Sequence, residues 1–220
     1  MLTLKEVKEN DQIIGFIKET KKALEALSYT DHGMDHVNLV TDRAISIAKG
    51  IGLKERDIEL AGISAFCHDM GNFLSRSHHN YFGAILFHQV FGGNHSPEEV
   101  MAVMHAISNH DRGDITFLNK ISAVTVLADK SDVRRSRVAT KDMKKIKGDI
   151  HNRVNYAVRK SQIKVDKKRN RICLILDIDT KVVPVIEYFE IFTNRMIYCR
   201  KAAEYLNYDF GLVINNFELL

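Results

Sequence analysis

The chain has 220 residues, 45% of them apolar and 27% charged, with a formal net charge of +4. That is enough chain to bury a real core as one domain with an appendage, and too apolar a composition for a disordered protein. Two prolines, no low-complexity tract and no apolar run of membrane-spanning length argue against long linkers and against a membrane partner.

The first ten residues, Met1 to Asn10, are too polar for a secretory signal, and three widely spaced cysteines, Cys67, Cys173 and Cys199, give no disulfide framework. A cytoplasmic location is expected. Two distributions say more than the totals. Nine of the ten histidines lie between His32 and His110, and the stretch Arg134–Arg171 carries a local net charge of +12, leaving the remainder near −8.

Taken in order, residues 11–27 have apolar residues at helical spacing behind Asp11 as N-cap. After a loop, Tyr29 to Gly33, a second helix runs from Met34 to Lys49 with Val37, Val40, Ala44 and Ile47 on one face; His36 lies on its first turn. Asp57 opens a helix that ends in His68-Asp69-Met70, stopped by Gly71. Another spans about Ser77 to Phe91. Ser96-Pro97-Glu98-Glu99 is a strong helix start, with a cap hydroxyl, proline at the first position and acids in the first turn. That helix reaches about His110, and Asn119 caps the next, Lys120 to about Val133.

Thr140–Lys160 reads as one or two basic helices. The period then changes: 162–166 and 172–178 form a hairpin, Pro184 starts a helix to about Leu206, and 212–214 is a third strand. The expected fold is therefore mainly α, a helical bundle over residues 1–160 with a small C-terminal α+β unit over 161–220 packed on it. Met196, Tyr198, Ala202 and Tyr205 on the last helix read as core packing or as a homodimer face.

An imidazole and a carboxylate side by side at the end of an apolar helix are costly to bury unless both are satisfied, and a divalent cation satisfies both. Five predicted helices carry His36, His68 with Asp69, His79, His110 and Asp129. Helices that turn such residues inward at one level build a metal site in a bundle core. Mixed His/Asp donors without cysteine suit one or two ions of Mn, Fe, Co, Ni, Mg or Zn rather than a structural zinc. Asp69 is the candidate bridge between two ions.

The order His36…His68-Asp69…Asp129 resembles the HD-domain superfamily of metal-dependent phosphohydrolases. Gly33-Met34-Asp35-His36-Val37, His79-Asn80-Tyr81-Phe82-Gly83-Ala84, Ala106-Ile107-Ser108-Asn109-His110 and Leu127-Ala128-Asp129-Lys130 resemble the segments of its six-ligand, two-metal branch. In spacing and flanks they are most similar to the bacterial HD-type dinucleoside tetraphosphate hydrolases, over roughly residues 30–138. The resemblance implies a bundle of the HD type and a metal-dependent hydrolase that cleaves a phosphoester or phosphoanhydride of a nucleotide or similar small molecule. It also implies six metal ligands: His36, His68, Asp69, His79, His110 and Asp129.

Three departures stand out. Asn72 occupies a place where many relatives have lysine, so one phosphate contact must be missing or supplied elsewhere. Asp111-Arg112-Gly113-Asp114 stands where cyclic-dinucleotide phosphodiesterases have Gly-Tyr-Pro. The acidic pair of alarmone hydrolases is absent after His68-Asp69.

Metal-activated water needs cations for the phosphate charge. Lys130 and Asp132 are expected to join His68 and Asp69 in catalysis. Arg134, Arg135 and Arg137, with His32 in the loop before His36, are expected to bind substrate. His78 and His105 point away from the ligand faces, and His88, His95 and His151 read as surface residues. The rest of the basic stretch reads as a solvated face with a lysine-rich turn; without interleaved aromatics, nucleic acid is not the favoured partner. Two rival readings remain, an HD-fold di-iron oxygenase and a non-catalytic module that binds metal with nucleotide or RNA.

Overall fold

In the computed structural model, which describes residues 1–220, the helical body and the change to strands fall where the sequence places them. The fold is the expected one, mainly α with a small C-terminal α+β region, and it has additions at both ends. Helix α1 (Leu4–Glu9) was not expected, because six residues are too few to show a period. Thr3 caps it, and Leu2 and Val7 are buried where Arg56 of α4 (Glu55–Cys67) donates to the Leu2 carbonyl at 2.7 Å. Helix α2 (Asp11–Ala26) is capped by Asn10 rather than Asp11; the Asn10 side chain accepts from the amides of Gln12 and Ile13.

The bundle consists of α3 (Met34–Gly50), α4, α6 (Pro97–Asn109) and α7 (Lys120–Lys130), with α5 (His79–Phe91) paired to α6. Helix α7 is its axis: every residue from Ile121 to Lys130 is buried. Asn119 caps α7 as expected, accepting from the amide of Ser122 at 2.8 Å. Ser96 does not cap α6; its hydroxyl donates to Glu98 Oε2 at 2.5 Å, and Pro97 alone sets the start.

Two glycines bring the turn after α4 onto α5. A Cβ on Gly71 would run into the carbonyl of His79 and lie 2.5 Å from the amide of Gly83. A Cβ on Gly83 would in turn press on Ile107 of α6 and the carbonyl of His68. Only two bare backbones allow that approach, and it sets His68-Asp69 beside the first residue of α5.

Beyond α7 the chain makes a short 3-10 turn (Arg135–Arg137), α8 (Met143–Gly148), α9 (Ile150–Ala157), β1 (Val158–Asp166), β2 (Arg171–Ile178), α10 (Val185–Tyr205), β3 (Asp209–Ile214) and β4 (Phe217–Glu218). The sheet order is β1-β2-β3-β4. β1 and β2 form the expected hairpin, β2 and β3 run parallel with α10 as the crossover, and β4 turns back on β3. β1 starts four residues earlier than its alternation suggested, directly from α9, and a register shift between Val158 and Lys160 absorbs the change.

Strand β2 alternates as read: Ile172, Leu174, Leu176 and Ile178 are buried, each contributing roughly 2 kcal/mol. These residues, α10 and the bundle share one continuous apolar core that runs from Leu2 to Ile214. Arg43 of α3 pins the sheet to the bundle; its guanidinium donates to Ser131 Oγ at the end of α7 and to the Ser161 carbonyl of β1, at 2.9 and 2.7 Å. No helix is long and apolar enough to cross a membrane.

Candidate metal centre

The ligand side chains sit at helix ends, where a polar group can enter the core without breaking a helix. His36 lies on the first turn of α3 and His79 begins α5; His68 and His110 are the C-caps of α4 and α6. The last carbonyls of a helix have no intrahelical donor. His68 Nδ1 donates to one of them, Ala65 O, and His110 Nδ1 to Ile107 O, both at 2.7 Å. His79 Nδ1 donates to Arg76 O at 2.9 Å, and His36 Nδ1 to Asp132 Oδ2 at 2.7 Å.

With each Nδ1 committed as a donor, each Nε2 of a neutral ring offers only a lone pair. The four Nε2 atoms meet in two pairs, His36 with His68 at 3.2 Å and His79 with His110 at 3.1 Å. Lone pairs facing each other at that separation repel unless a cation or a proton lies between them.

Asp69 stands between the pairs. Its Oδ2 is 3.3 Å from His36 Nε2 and 3.2 Å from His68 Nε2, while its Oδ1 is 3.4 Å from His79 Nε2 and 3.5 Å from His110 Nε2. Asp129 Oδ1 joins the first pair, at 3.6 Å from His36 Nε2 and 3.5 Å from His68 Nε2. The site therefore contains three overlapping sets of donor atoms, each set within 4.8 Å, that can hold a divalent metal: His36, His68 and Asp69; His68, His110 and Asp129; Asp69, His79 and His110. The donors fit such an ion: all are buried, all are imidazole nitrogen or carboxylate oxygen, and every imidazole is fixed from behind.

The protonation states agree. Burial works against a charged His68, but the carboxylates of Asp69 and Asp129 outweigh it and raise its pKa, so a proton is held where a cation would displace it. Burial would raise Asp69 and Asp129, yet His68 and its neighbours, with Lys130 beside Asp129, hold both carboxyls well below the usual range. Burial lowers His110, which leaves its Nε2 a free donor to metal.

Around these ligands the structure corrects part of the sequence reading. Lys130 is buried with Nζ 3.0 Å from Asp129 Oδ2 and 2.7 Å from Asp111 Oδ1, so its charge balances two acids instead of facing solvent. Asp132 is fully buried and acts through His36; Arg134 Nε holds its other oxygen at 2.8 Å. The three arginines expected at the phosphate each contact protein groups. Arg134 bridges Asp132, Ser136 and the carbonyl of Asp35. Arg135 stacks 4.3 Å from the Tyr156 ring and donates to its carbonyl. Arg137 is buried and donates twice to the Asp31 carbonyl, tying the His32 loop to the segment after α7. His32 is buried with its ring 5.5 Å from that of His36.

Two residues to which the sequence reading gave no role, Arg76 and Asp111, belong here. Asn72 donates to the Asp69 carboxylate at 3.0 Å and accepts from Arg76, whose NH1 also lies against the His79 ring. The cation missing at position 72 is thus brought in four residues later. Asp111, next to His110 in sequence, is 3.7 Å from His79 Nε2 through its Oδ2. An acid adjacent to a candidate ligand was the available signal.

The HD domain family model matches residues 33–147, more than half of the chain. The chain belongs to that family. It is similar to MJ1020, an uncharacterized protein of Methanocaldococcus jannaschii, with 26% identity over 206 residues, covering 83% of this chain and 79% of that protein. It also aligns with the crystal structure of a predicted HD superfamily hydrolase from an uncultured Thermotogales bacterium, with a TM-score of 0.45 and 21% identity over 60% of this chain and 75% of that one.

Proposed function

We propose that this chain is a two-metal phosphohydrolase that cleaves a phosphoester or phosphoanhydride of a nucleotide or similar small molecule. One observation carries the reading: each oxygen of Asp69 faces its own pair of outward-fixed imidazoles, the arrangement a carboxylate needs to bridge two cations. His36, His68, Asp69 and Asp129 would hold one ion, and Asp69, His79 and His110 the other. Bound there, two divalent ions supply Lewis acidity that activates a water near neutral pH and draws charge off the phosphoryl oxygens.

The residues around them do the rest. Asp132 keeps the proton of His36 at Nδ1, so Nε2 stays available, and the carbonyls of Ala65, Ile107 and Arg76 do the same for the other three rings. Lys130 neutralises Asp129 and Asp111, which limits the repulsion an incoming phosphate meets.

Screening nucleotides and simple phosphoesters with Mn, Fe, Co, Ni and Mg, under anaerobic conditions, tests the proposal. Turnover without oxygen that vanishes in Asp69→Ala is expected. Oxygen uptake by the iron-loaded protein without phosphate release, or activity and metal content intact in Asp69→Ala, would overturn it.

A further inference from the structure

A cavity of about 270 Å³ opens between the loop after α2, helix α9 and helix α10, lined by His32 and Arg76, which touch His36 and His79 of the metal centre. A second cavity of about 670 Å³ shares Ser28, Tyr29, Asp149 and Asn152 with it. Together they have the volume of a small organic ligand. The lining of the smaller one includes two arginines, Arg76, already against His79, and Arg195 of α10.

Arg195 is unusual among the cations near the metal centre. Lys130 and Arg137 have their own carboxylates or carbonyls, whereas Arg195 only stacks on the Phe192 ring at 4.5 Å. A half-buried guanidinium that lines the cavity without a carboxylate of its own is balanced best by an anion that enters there.

Two largely buried polar side chains at the cavities have atoms that make no hydrogen bond within the protein. Asn152 is 8% exposed; its backbone amide is used by Asp149, but its side-chain amide, which lines both cavities, meets no protein group. His32 is 7% exposed and donates from Nδ1 to the Thr30 carbonyl, leaving Nε2 an open acceptor. Both side chains line the cavity, where a ligand bearing hydroxyl or amide groups would find their free donor and acceptor atoms.

We infer that helix α10 completes the substrate site: Arg195 and Arg76, which line one cavity, hold the phosphoryl group, while Asn152 selects an organic phosphate whose carrier is a polar ring system of nucleoside size. The inference rests on the phosphohydrolase reading and deepens it, giving the C-terminal α+β region a part in substrate choice.

Titration calorimetry on the metal-loaded protein tests it with inorganic phosphate, ribose 5-phosphate and the four ribonucleoside 5′-monophosphates. At least one nucleotide is expected to bind more tightly than the two smaller probes. Arg195→Gln should weaken all probes about tenfold, the loss of one charge-assisted contact, and Arg195→Lys should recover part of it. Asn152→Ala should weaken the nucleotide about fivefold and leave inorganic phosphate unchanged. Nucleotides that bind no better than inorganic phosphate, or affinities within twofold of the parent in folded Arg195→Gln and Asn152→Ala, would overturn it. The two readings fail separately. Binding with these dependences in a protein that hydrolyses nothing removes the hydrolase and keeps the arginine pair; hydrolysis with a KM indifferent to Arg195 removes the arginine pair and keeps the hydrolase.

Discussion

His36 and His68 face Asp69 Oδ2 and share a second carboxylate, Asp129 Oδ1, whereas His79 and His110 face Asp69 Oδ1 with only the half-exposed Asp111 beside them. The support behind the rings differs as well. His36 is backed by a buried carboxylate that is itself held by Arg134, while His79 and His110 are backed by backbone carbonyls. Two anionic donors and a carboxylate-backed imidazole make the first side the stronger cation site. Arg76 lies beside the second side, against the His79 ring. On the two-metal reading the pairs divide the work, with a tightly held ion at the first side and a more exchangeable ion at the second.

That contrast is open to attack at several points. Asp69→Asn removes the shared bridge, so metal affinity should fall on both sides by more than the roughly 10- to 100-fold that loss of a supporting partner costs. Elemental analysis after desalting should then find little metal in a protein that is still folded by circular dichroism. Asp132→Ala should cost about 10- to 100-fold at the first side only. Under limiting Mn the bound ion should shift to the second side, and the paramagnetic resonance signal of a coupled pair should disappear.

Gly71→Ala attacks the contact between the pairs. Its Cβ has no room against the His79 carbonyl, so the melting free energy should drop by about 1–3 kcal/mol, and metal should be lost first from the His79 side. Asp111→Asn should be the mildest. Lys130 keeps Asp129, the first side keeps its ion, and the second weakens by less than about tenfold in a competition titration.

Most of the bundle and the six donors were legible because they obey local rules. Helices announce themselves by period and caps, and each donor sits at a helix end where the period breaks, as His68 does before Gly71. What escaped depends on distant partners. Arg134, Arg135 and Arg137 look like phosphate cations as a run of charge, but their donors go to Asp132, Tyr156 and Asp31, and nothing in the run records that. Arg76 and Asp111 were missed for the converse reason, since each matters only through its neighbour's ring or ammonium. Arg195 lies 66 residues beyond Asp129, the last donor, on a helix whose apolar face gave no reason to look at its polar one. Helix α1 was below the length at which a period can be read.

The most direct measurement is anomalous diffraction from crystals grown with Mn, collected on both sides of the metal edge. Two peaks that flank Asp69 are expected, one touching Oδ2 with His36, His68 and Asp129, the other touching Oδ1 with His79 and His110. A single peak that leaves either histidine pair unliganded, or peaks that do not involve Asp69, would contradict the account.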